Sequence, residues 1–212
     1  MSGSGMRMKH AIVPRGQSLA WYLDEEIRLA QNVQEELFFC WWVNPTVIYG
    51  RHQDVNAEVN LDYCRARGIQ VVQRKSGGGC VYADEGNLML SFITPDTHSE
   101  AVFERFISHI AAVLRSLGMD AVTTEHNDIL VGGRKVSGNA CYALPNATIV
   151  HGTLLYDVNL DALELAITPS AAKLNKHAVQ SVRQRVMNIR PLLPDIRNIK
   201  ELEQYFVRYL TQ

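Results

Sequence analysis

Three consecutive glycines beside two cationic side chains are the first feature of the sequence that could bind a small anionic molecule. The stretch runs Arg74-Lys75-Ser76-Gly77-Gly78-Gly79-Cys80-Val81-Tyr82, between two apolar runs. Because glycine loses the most backbone entropy on folding, three in a row indicate unusual dihedral angles or a backbone that touches a ligand. A nest of N–H groups there could hold a carboxylate or a phosphate, with Arg74 and Lys75 adding positive charge. A flexible hairpin loop is the alternative interpretation, and the GxxxxGK[ST] spacing of a P-loop is absent from the sequence.

A glycine pair farther along the chain predicts a hairpin that carries a lysine near an aspartate. Gly132-Gly133 lies between two alternating runs, which is typical of a two-residue hairpin loop. Such a loop would pair Leu130 with Lys135 and Asp128 with Ser137. Strand alternation then predicts that Asp128, Lys135 and Ser137 share one face, with the apolar residues of the hairpin on the other. From spacing alone, Lys135 is either a solvated surface residue or a cation directed at an anionic ligand.

Two further segments contain side chains that could take part in chemistry. His151 lies inside an apolar run, where a histidine is more often a hydrogen-bonded structural residue than a catalyst. Gly152 beside it indicates a close approach of two backbones. The second segment, residues 181–188, is basic, and a solvated loop is its simplest interpretation.

Apolar periodicity predicts the elements that must position these residues. Helical spacing is found at residues 18–31, 61–67, 98–117 and 199–210. Ser18 is a candidate N-cap for the first of these helices, and Gly68 and Gly118 are expected to end the second and the third. Apolar and β-branched runs predict strands at residues 37–43, 46–50, 69–74, 80–83, 88–94, 128–131, 134–143 and 147–156.

The order of these elements predicts an α+β domain in which a mostly antiparallel or mixed sheet has helices packed on one side. The first two strands, separated by Asn44 and Pro45, are expected to be joined by a turn. A GxGxxG sequence after a strand and a regular βαβ alternation are both absent from the sequence, which disfavours a dinucleotide-binding fold.

The composition is typical of one soluble domain over residues 1–212, with residues 1–5 as a flexible tail. Of the 212 residues, 47% are hydrophobic and 20% are charged, which suits a sizeable core. The net charge of −1 and the scattered Lys and Arg residues disfavour a nucleic-acid partner. Because no apolar run approaches the ~20 residues of a membrane span, we expect no membrane association.

The cysteines predict a reducing compartment rather than a disulfide framework or a metal site. Cys40, Cys64, Cys80 and Cys141 form no CxxC pair and are not at metal-ligand spacing with histidine. Reduced thiols in a cytoplasmic protein are the expectation.

Taken in this order, the segments resemble the lipoate–protein ligase family, a branch of the biotin/lipoate ligase fold, over roughly residues 17–192. The family pattern runs Arg-x-Ser-Gly-Gly-Gly-x-Val, Asp-x-Gly-Asn, Asn-Asp, (Arg/Lys)-Lys-(Ile/Val)-Ser-Gly, His-Gly-Thr-Leu-Leu and Ser-Val-Arg-x-Arg-Val-x-Asn. The matching positions are Arg74, Ser76 to Gly79 and Val81; Asp84, Gly86 and Asn87; Asn127 and Asp128; 134–138; 151–155; and 181–188. Gly50-Arg51-His52-Gln53 is similar to the family's Gly-Arg-x-Gln element.

The resemblance implies an ATP-dependent ligase with a biotin/lipoate ligase catalytic-domain fold. In this family lipoate attacks ATP, with Mg²⁺, to give lipoyl-AMP, and a lysine of an acceptor protein then attacks that mixed anhydride to form an amide. The implied partners are lipoyl-domain proteins of 2-oxoacid dehydrogenase or glycine cleavage complexes.

The resemblance also implies roles for individual residues. Lys135 is the catalytic candidate, because it could contact both the acyl carbonyl and the phosphate without forming a covalent bond. Asp128 would position the nucleotide or hold Mg²⁺, and Val72 would line a tunnel for the aliphatic chain. The remaining substrate- or adenylate-binding candidates are Arg74, Ser76, Gly77, Gly78, Gly79, Val81, Asn87, Asn127, Ser137, Gly138, His151, Gly152 and Thr153.

Three departures from the family pattern affect these expectations. Ala83 precedes Asp84 where the family often has histidine, and His126 precedes Asn127 where arginine is commoner. Many members carry a C-terminal accessory domain or a separate accessory subunit, and we expect no such domain within residues 1–212. An accessory partner for adenylation is therefore expected, together with faster transfer from preformed lipoyl-AMP than synthesis of it.

Two other functions remain open at this point. An octanoyl or lipoyl transferase would use a cysteine thioester, and related octanoyltransferases place that cysteine just before the strand that begins near Asp128, where this sequence has none. A non-catalytic lipoate- or adenylate-binding protein is the other, and the presence of Lys135 argues against it. Biotin ligation would call for a Gly-Arg-Gly-Arg-type loop, which the glycine triplet replaces.

Overall fold

Two sheets of unequal size form the framework of the molecule. The computed structural model describes residues 8–125, 128–167 and 185–212. Within these residues the strands are β1 (Lys9–His10), β2 (Leu37–Trp41), β3 (Thr46–Tyr49), β4 (Gln70–Gln73), β5 (Val81–Ala83), β6 (Asn87–Thr94), β7 (Ala121–Thr123), β8 (Asp128–Val131), β9 (Arg134–Leu144) and β10 (Ala147–Leu155). The described helices are α1 (Leu19–Ala30), α2 (Val55–Glu58), α3 (Leu61–Arg67), α4 (Ser99–Ser116), α5 (Leu160–Ala166) and α6 (Ile199–Leu210).

The large sheet is mostly antiparallel and the small sheet is mixed. Seven described strands form the large sheet in the order β1-β2-β6-β10-β9-β8-β7, with β1 and β2 as its parallel pair. The small sheet has the order β4-β3-β5, parallel between β3 and β4 and antiparallel between β3 and β5. The predicted α+β class, with a mostly antiparallel or mixed sheet and helices packed on it, is confirmed.

Capping residues explain where several helices begin and end. The Ser18 hydroxyl accepts a hydrogen bond from the Trp21 N–H at 3.2 Å and starts α1, as predicted. Gly68 has a φ of +66° and ends α3, and Gly118 has a φ of +86° just beyond α4. These conformations are easy for glycine and strained for other residues, so the sequence predictions at both ends are confirmed.

Helices cover both faces of the large sheet, and the prediction that they lie on one side is wrong. Every residue of the central strand β6 is buried. Leu88, Leu90 and Phe92 pack with α4 and α6, while Met89 and Ile93 pack on the opposite face with α1 and the small sheet. Alternation in a strand sends neighbouring side chains to opposite faces, so a continuous apolar run indicates burial on both.

Residues 37–43 and 46–50 do contain two strands, yet these strands do not pair with each other. β2 pairs with β6 in the large sheet, whereas β3 lies at the centre of the small one. Asn44 and Pro45 therefore connect two sheets rather than close a hairpin. This break lets the glycine-rich segment between β4 and β5 approach the large sheet from the side.

A β-bulge changes the expected register of the hairpin between β8 and β9. Leu130 pairs with Lys135 as predicted, but Asp128 pairs with Gly138 rather than with Ser137. Ser137 pairs with Ile129, so Val136 is the extra residue of the bulge. The predicted common face is therefore right for Asp128 and Lys135 and wrong for Ser137, which is fully buried.

Candidate active site

A cavity of about 260 Å³ opens where the glycine-rich segment of the small sheet meets the large sheet and α1. The polar part of its wall comes from both sheets: Arg74, Gly78 and Gly79 on one side, and Asp128, Lys135, Gly138, His151 and Thr153 on the other. The apolar part is formed by Leu19, Leu23, Trp41, Ile48, Val81 and Met89. A pocket that is apolar at one end and has a few convergent polar groups at the other suits an amphipathic small molecule.

The Arg74 side chain orders the glycine-rich segment through hydrogen bonds to its backbone carbonyls. Its guanidinium donates hydrogen bonds to the carbonyls of Gly77 at 2.7 and 3.1 Å, of Gly79 at 2.7 Å and of Ile48 at 3.2 Å. Burial lowers the pKa of Arg74. The sequence predicted that this cation adds charge for an anionic ligand, whereas the contacts in the structure are hydrogen bonds that order the loop backbone.

Glycine is required at two positions where this loop packs. Gly78 has a φ of +92°, and a Cβ atom there would lie 2.9 Å from Arg74 Nη2. A Cβ atom on Gly50 would lie 2.3 Å from the Gly78 carbonyl oxygen, so the turn after β3 supports the loop by direct backbone contact. Gly77 and Gly79, in contrast, have open space beside Cα. Their backbone can therefore be approached closely by a ligand.

Lys135 lies over a glycine and beside an acid. Its Nζ atom is 2.8 Å from Asp128 Oδ1, and both side chains are part-exposed at the cavity. A Cβ atom on Gly138 would lie 2.9 Å from both Cε and Nζ of Lys135, so the lysine occupies the space that a side chain at 138 would take. The Thr153 hydroxyl bridges the Gly138 backbone, accepting from its N–H at 3.3 Å and donating to its carbonyl at 3.2 Å. These contacts fix the ammonium group at the polar end of the cavity.

Residues 186 and 187 hold the backbone of Lys135 from the other side. Met187 N–H donates to the Lys135 carbonyl at 3.0 Å, and Val186 forms a parallel bridge with Lys135. The Asn188 side chain binds both the N–H and the carbonyl of Val158, at 3.0 and 2.9 Å. The C-terminal part of the basic segment thus supports Lys135, whereas residues 181–184 lie outside the described residues.

His151 joins the two sides of the cavity. Its Nε2 atom lies 2.8 Å from the Ser76 hydroxyl, and its Nδ1 atom lies 3.1 Å from Glu26 Oε2. Ser76 belongs to the glycine-rich segment, while Glu26 is a buried residue of α1. His151 is therefore both a wall residue of the cavity and a hydrogen-bonded residue of the framework.

The other predicted site residues fall into distinct places. Val81 and Gly152 line the cavity, whereas Val72 lines a smaller adjoining cavity of about 110 Å³. Ser137 is buried and is not among the described residues that line the main cavity. Asn87 is fully buried on β6, and Asn127 lies outside the described residues.

Asp84 and Gly86 of the Asp-x-Gly-Asn element form a structural turn. The Asp84 carboxylate accepts from Gly86 N–H at 2.9 Å and from Asn159 N–H at 3.0 Å. A Cβ atom on Gly86 would lie 2.0 Å from the Asp157 carbonyl oxygen, so only glycine fits against that loop.

Sequence analysis missed Glu26 and Trp41, and it matched Gly50 to a family element without assigning it a supporting role. Glu26 lies on the apolar side of an amphipathic helix. Because a carboxylate is rarely buried without a partner, its position in the sequence could have indicated a buried polar contact. Trp41 follows other apolar residues in β2, so nothing in the sequence of this strand distinguishes a cavity residue from a core residue.

The thiols are poor nucleophiles. Burial raises the pKa of Cys80 to about 12 and that of Cys141 to about 11. Burial also raises the pKa values of Cys40 and Cys64. A cysteine that forms acyl thioesters needs a lowered pKa, so the structure offers no support for that chemistry among the described thiols.

Asp128 could supply one ligand to a metal ion whose other ligands come from substrate phosphates and water. Among the described residues there is no group of three or more His, Cys, Asp or Glu side chains that could hold a metal alone. Mg²⁺ at nucleotide sites usually takes one or two carboxylates and completes its shell with substrate phosphates and water. Asp128, at the cavity wall beside Lys135, can supply one such carboxylate.

None of the helices in the described part of the chain combines the length and the apolar character needed to span a membrane.

Comparison with known sequences gives one consistent answer. The model of the lipoyl protein ligase A/B catalytic domain matches residues 18–211. Lipoate–protein ligase 1 of Staphylococcus aureus is 41% identical over 186 residues, covering 87% of this chain and 57% of the relative. Lipoate–protein ligase LplJ of Bacillus subtilis is 38% identical over 178 residues, covering 83% of this chain and 54% of the relative. The chain thus spans about half the length of the curated relatives it matches.

Solved structures agree with the sequences. A bipartite lipoate protein ligase of Thermoplasma acidophilum, studied with its E2 lipoyl domain, superposes with a TM-score of 0.84 at 26% identity, covering 97% of this chain and 83% of that one. A lipoate–protein ligase A bound with ATP gives a TM-score of 0.83 at 25% identity, with 97% and 85% coverage. A T. acidophilum protein with bound lipoic acid gives 0.82 at 25% identity, with 97% and 84% coverage.

Proposed function

The chain belongs to the lipoyl protein ligase A/B catalytic-domain family, and from this we propose that it joins lipoate to a lysine of a lipoyl-domain protein through a lipoyl-AMP intermediate. The observation that carries the proposal is the position of Lys135, whose ammonium lies among the polar residues of a cavity that also has an apolar wall. Relatives bound with ATP and with lipoic acid support the choice of ligands.

The cavity has groups that suit both ends of lipoate. The aliphatic chain would lie against Leu19, Trp41 and Met89. Its carboxyl group would then lie near Lys135 and near the backbone of Gly78 and Gly79, where N–H groups and a cation meet. Burying an apolar chain and neutralising an anion at its end are the two contributions that such a ligand needs.

In the first step the carboxylate attacks the α-phosphorus of ATP, and pyrophosphate leaves. Lys135 would reduce the repulsion between the two anions and stabilise the negative charge that develops on the phosphorus oxygens. Asp128 is the residue that would hold Mg²⁺ when it is bound, and the ion supplies charge neutralisation at the phosphates.

In the second step the acceptor lysine attacks the acyl carbonyl and AMP leaves. The carbonyl oxygen becomes negative in the transition state, and the same ammonium of Lys135 can stabilise it. Because Lys135 acts as a fixed charge rather than as a nucleophile, no covalent bond to the protein forms. Exclusion of water by the apolar wall protects the mixed anhydride from hydrolysis.

An acyltransferase that works through a cysteine thioester is the competing function, and the raised pKa values of the thiols count against it. A reaction containing lipoate, ATP, Mg²⁺ and a lipoyl domain distinguishes the two. A ligase releases AMP and pyrophosphate and lipoylates the acceptor, whereas a transferase modifies it from an acylated carrier protein without ATP. Lipoate binding with neither activity would show a binding protein.

A further inference from the structure

We propose that Glu26 is a positioning residue, which fixes the tautomer of His151 and through it holds the glycine-rich segment (residues 74–81) against the large sheet. The geometry is a chain of four hydrogen bonds that crosses the core. Trp41 Nε1 donates to Ser91 Oγ at 2.8 Å, and Ser91 Oγ donates to Glu26 Oε1 at 2.5 Å. Glu26 Oε2 then meets His151 Nδ1 at 3.1 Å, and His151 Nε2 meets Ser76 Oγ at 2.8 Å.

The direction of each hydrogen bond follows from the indole at one end. A tryptophan N–H can only donate, so Ser91 Oγ accepts from it and has its single proton left for Glu26. A carboxylate that accepts from Ser91 on one oxygen can accept from His151 on the other, which places the imidazole proton on Nδ1. In the neutral imidazole Nε2 is then an acceptor, and Ser76 donates to it.

Most of the groups of this hydrogen-bond chain are buried, so leaving one of them unpaired would cost free energy of folding. Glu26 is 2% exposed and Ser91 is fully buried, so neither can exchange its partner for bulk water. Ser91 and His151 are direct cross-strand neighbours on β6 and β10, and the Glu26 carboxylate from α1 bridges the two. Three elements of the framework therefore define the position of the imidazole ring.

The hydrogen bond between Ser76 and His151 fixes the loop relative to the imidazole ring. β4 and β5, which flank the glycine-rich segment, belong to the small sheet, whereas His151 belongs to the large one. Arg74 holds Gly77 and Gly79 from the small-sheet side, and the Ser76–His151 bond holds the segment from the large-sheet side. The loop backbone is thereby kept at a fixed distance from Lys135 across the cavity.

The order Ser76–His151–Glu26 matches that of a hydrolytic triad, but its place in the cavity argues for support rather than attack. Ser76 is 2% exposed, and His151 lies two residues along β10 from Thr153, which contacts the Gly138 backbone beneath Lys135. At about 3.3 Å per strand residue, the Cα atoms of His151 and Thr153 are offset by about 7 Å, and the imidazole is hydrogen-bonded to Glu26 of α1. Ser76 lines the smaller cavity and is not among the described residues that line the cavity with Lys135, so it is not placed to attack a carbonyl polarised there.

The first test needs no ligand, so its outcome does not depend on the proposed ligase activity. Nitrogen NMR of the imidazole in the wild-type chain should show a protonated Nδ1 and an unprotonated Nε2. In Glu26→Gln the amide can keep its oxygen toward Ser91 and turn its NH₂ toward Nδ1, so the tautomer should invert to Nε2–H. An unprotonated Nδ1 in the wild-type protein would overturn the proposal.

The second test measures amide hydrogen exchange at Arg51, whose N–H donates to the Ser76 carbonyl at 3.1 Å and so reports whether the loop stays in place. Glu26→Ala and Ser76→Ala should each speed exchange there by about 10-fold or more, since each removes one bond of the chain. Glu26→Gln should stay near the wild-type rate, because the ring keeps a partner on both nitrogens. Glu25→Ala is the matched control, since this neighbour on α1 forms its ion pair with Arg28 and not with a member of the hydrogen-bond chain.

A double-mutant comparison separates this role from a general loss of packing. If Glu26 acts through Ser76, the double variant Glu26→Ala/Ser76→Ala should exchange no faster than the single variants, whereas independent effects would add. Additive effects, or wild-type protection of the Arg51 amide in Glu26→Ala, would refute the idea. Should Glu26→Ala fail to fold, Ser76→Ala must free the loop while His151 keeps its Nδ1 proton, and a protected Arg51 amide in that variant would refute it as well.

The third measurement connects the chain to the proposed function, on which this step alone depends. Glu26→Ala should raise the KM for lipoate by about 10-fold with a smaller change in kcat, because a loosened loop weakens ground-state and transition-state binding alike. Mass spectrometry of the wild-type chain after incubation with lipoyl-AMP should find no acylated Ser76. Recovery of an acyl-serine would identify Ser76 as a nucleophile and overturn the positioning role.

Discussion

At the scale of single residues, the position of Lys135 depends on the absence of a side chain at Gly138. The lysine side chain passes through the volume that a methyl group at residue 138 would fill, and it ends beside the Asp128 carboxylate. The sequence places a lysine three residues before a glycine, but spacing alone does not reveal that the two share this space. The bulge at Val136 is what brings Gly138 opposite Asp128.

Replacement of Gly138 by alanine should therefore displace Lys135 without unfolding the chain. The new Cβ atom would lie 2.9 Å from Nζ, at the free end of a flexible side chain, so the lysine moves and the backbone stays. We expect kcat/KM to fall by roughly 10- to 100-fold, with Tm within a few degrees of wild type. In a Lys135→Ala background the same substitution should have little further effect, and a large additional loss would show that Gly138 acts by another route.

The thiols lead to a second prediction at this scale. With a pKa of about 11, Cys141 is a thiolate in only about one molecule in 10³ at pH 8. Its alkylation by iodoacetamide should therefore be slow at pH 8 and should accelerate about 10-fold per pH unit up to pH 10. Cys141→Ser should leave lipoylation within a few-fold of wild type. Rapid alkylation at pH 7 would contradict the raised pKa, and an acyl thioester on any cysteine would favour the transferase.

At the scale of elements, much of the secondary structure was predictable because its signals are local. Ser18 and Gly68 mark helix ends by their own side chain and backbone geometry, and both were identified correctly. The division of residues 37–50 between two sheets was not predictable, since both strands are equally apolar and no local signal states which partner each will find. The bulge at Val136 and the hydrogen-bond partners of Glu26 are likewise decided by tertiary contacts.

The support of the glycine-rich segment by Gly50 gives a prediction at the element scale. In Gly50→Ala the new Cβ atom would lie 2.3 Å from the Gly78 carbonyl oxygen, which is a backbone atom that cannot turn away. The loop must shift, and we expect lipoate affinity to fall by about 10-fold or more while β3 and β4 stay paired. Isothermal titration with lipoate and circular dichroism would measure the two effects. Exposed His52→Ala in the same turn is the control.

At the scale of the whole molecule, the site is built between two sheets that are joined through the core. The small sheet supplies the glycine-rich segment, and the large sheet supplies Lys135, Asp128 and Thr153. Apolar residues from both sheets and from α1 form one cluster behind the cavity, so the two walls are packed against each other rather than hinged on a linker. We therefore expect the proposed binding of an acyl-adenylate between them to need little reorganisation, which would favour tight holding of the intermediate.

Every described residue that we propose to contact lipoyl-AMP lies within this framework, so transfer from the preformed intermediate should occur with the 212-residue chain. Transfer requires that the acyl group be held and its carbonyl be polarised, and the apolar wall and Lys135 can do both. Synthesis of lipoyl-AMP also requires that the triphosphate and Mg²⁺ be aligned, so the two half-reactions should be assayed apart, with and without an added accessory partner. Lys135→Ala should slow both by on the order of 10²-fold, since one charge serves both transition states. A Lys135→Ala variant that transfers from lipoyl-AMP at the wild-type rate would show that the carbonyl is polarised by a different group.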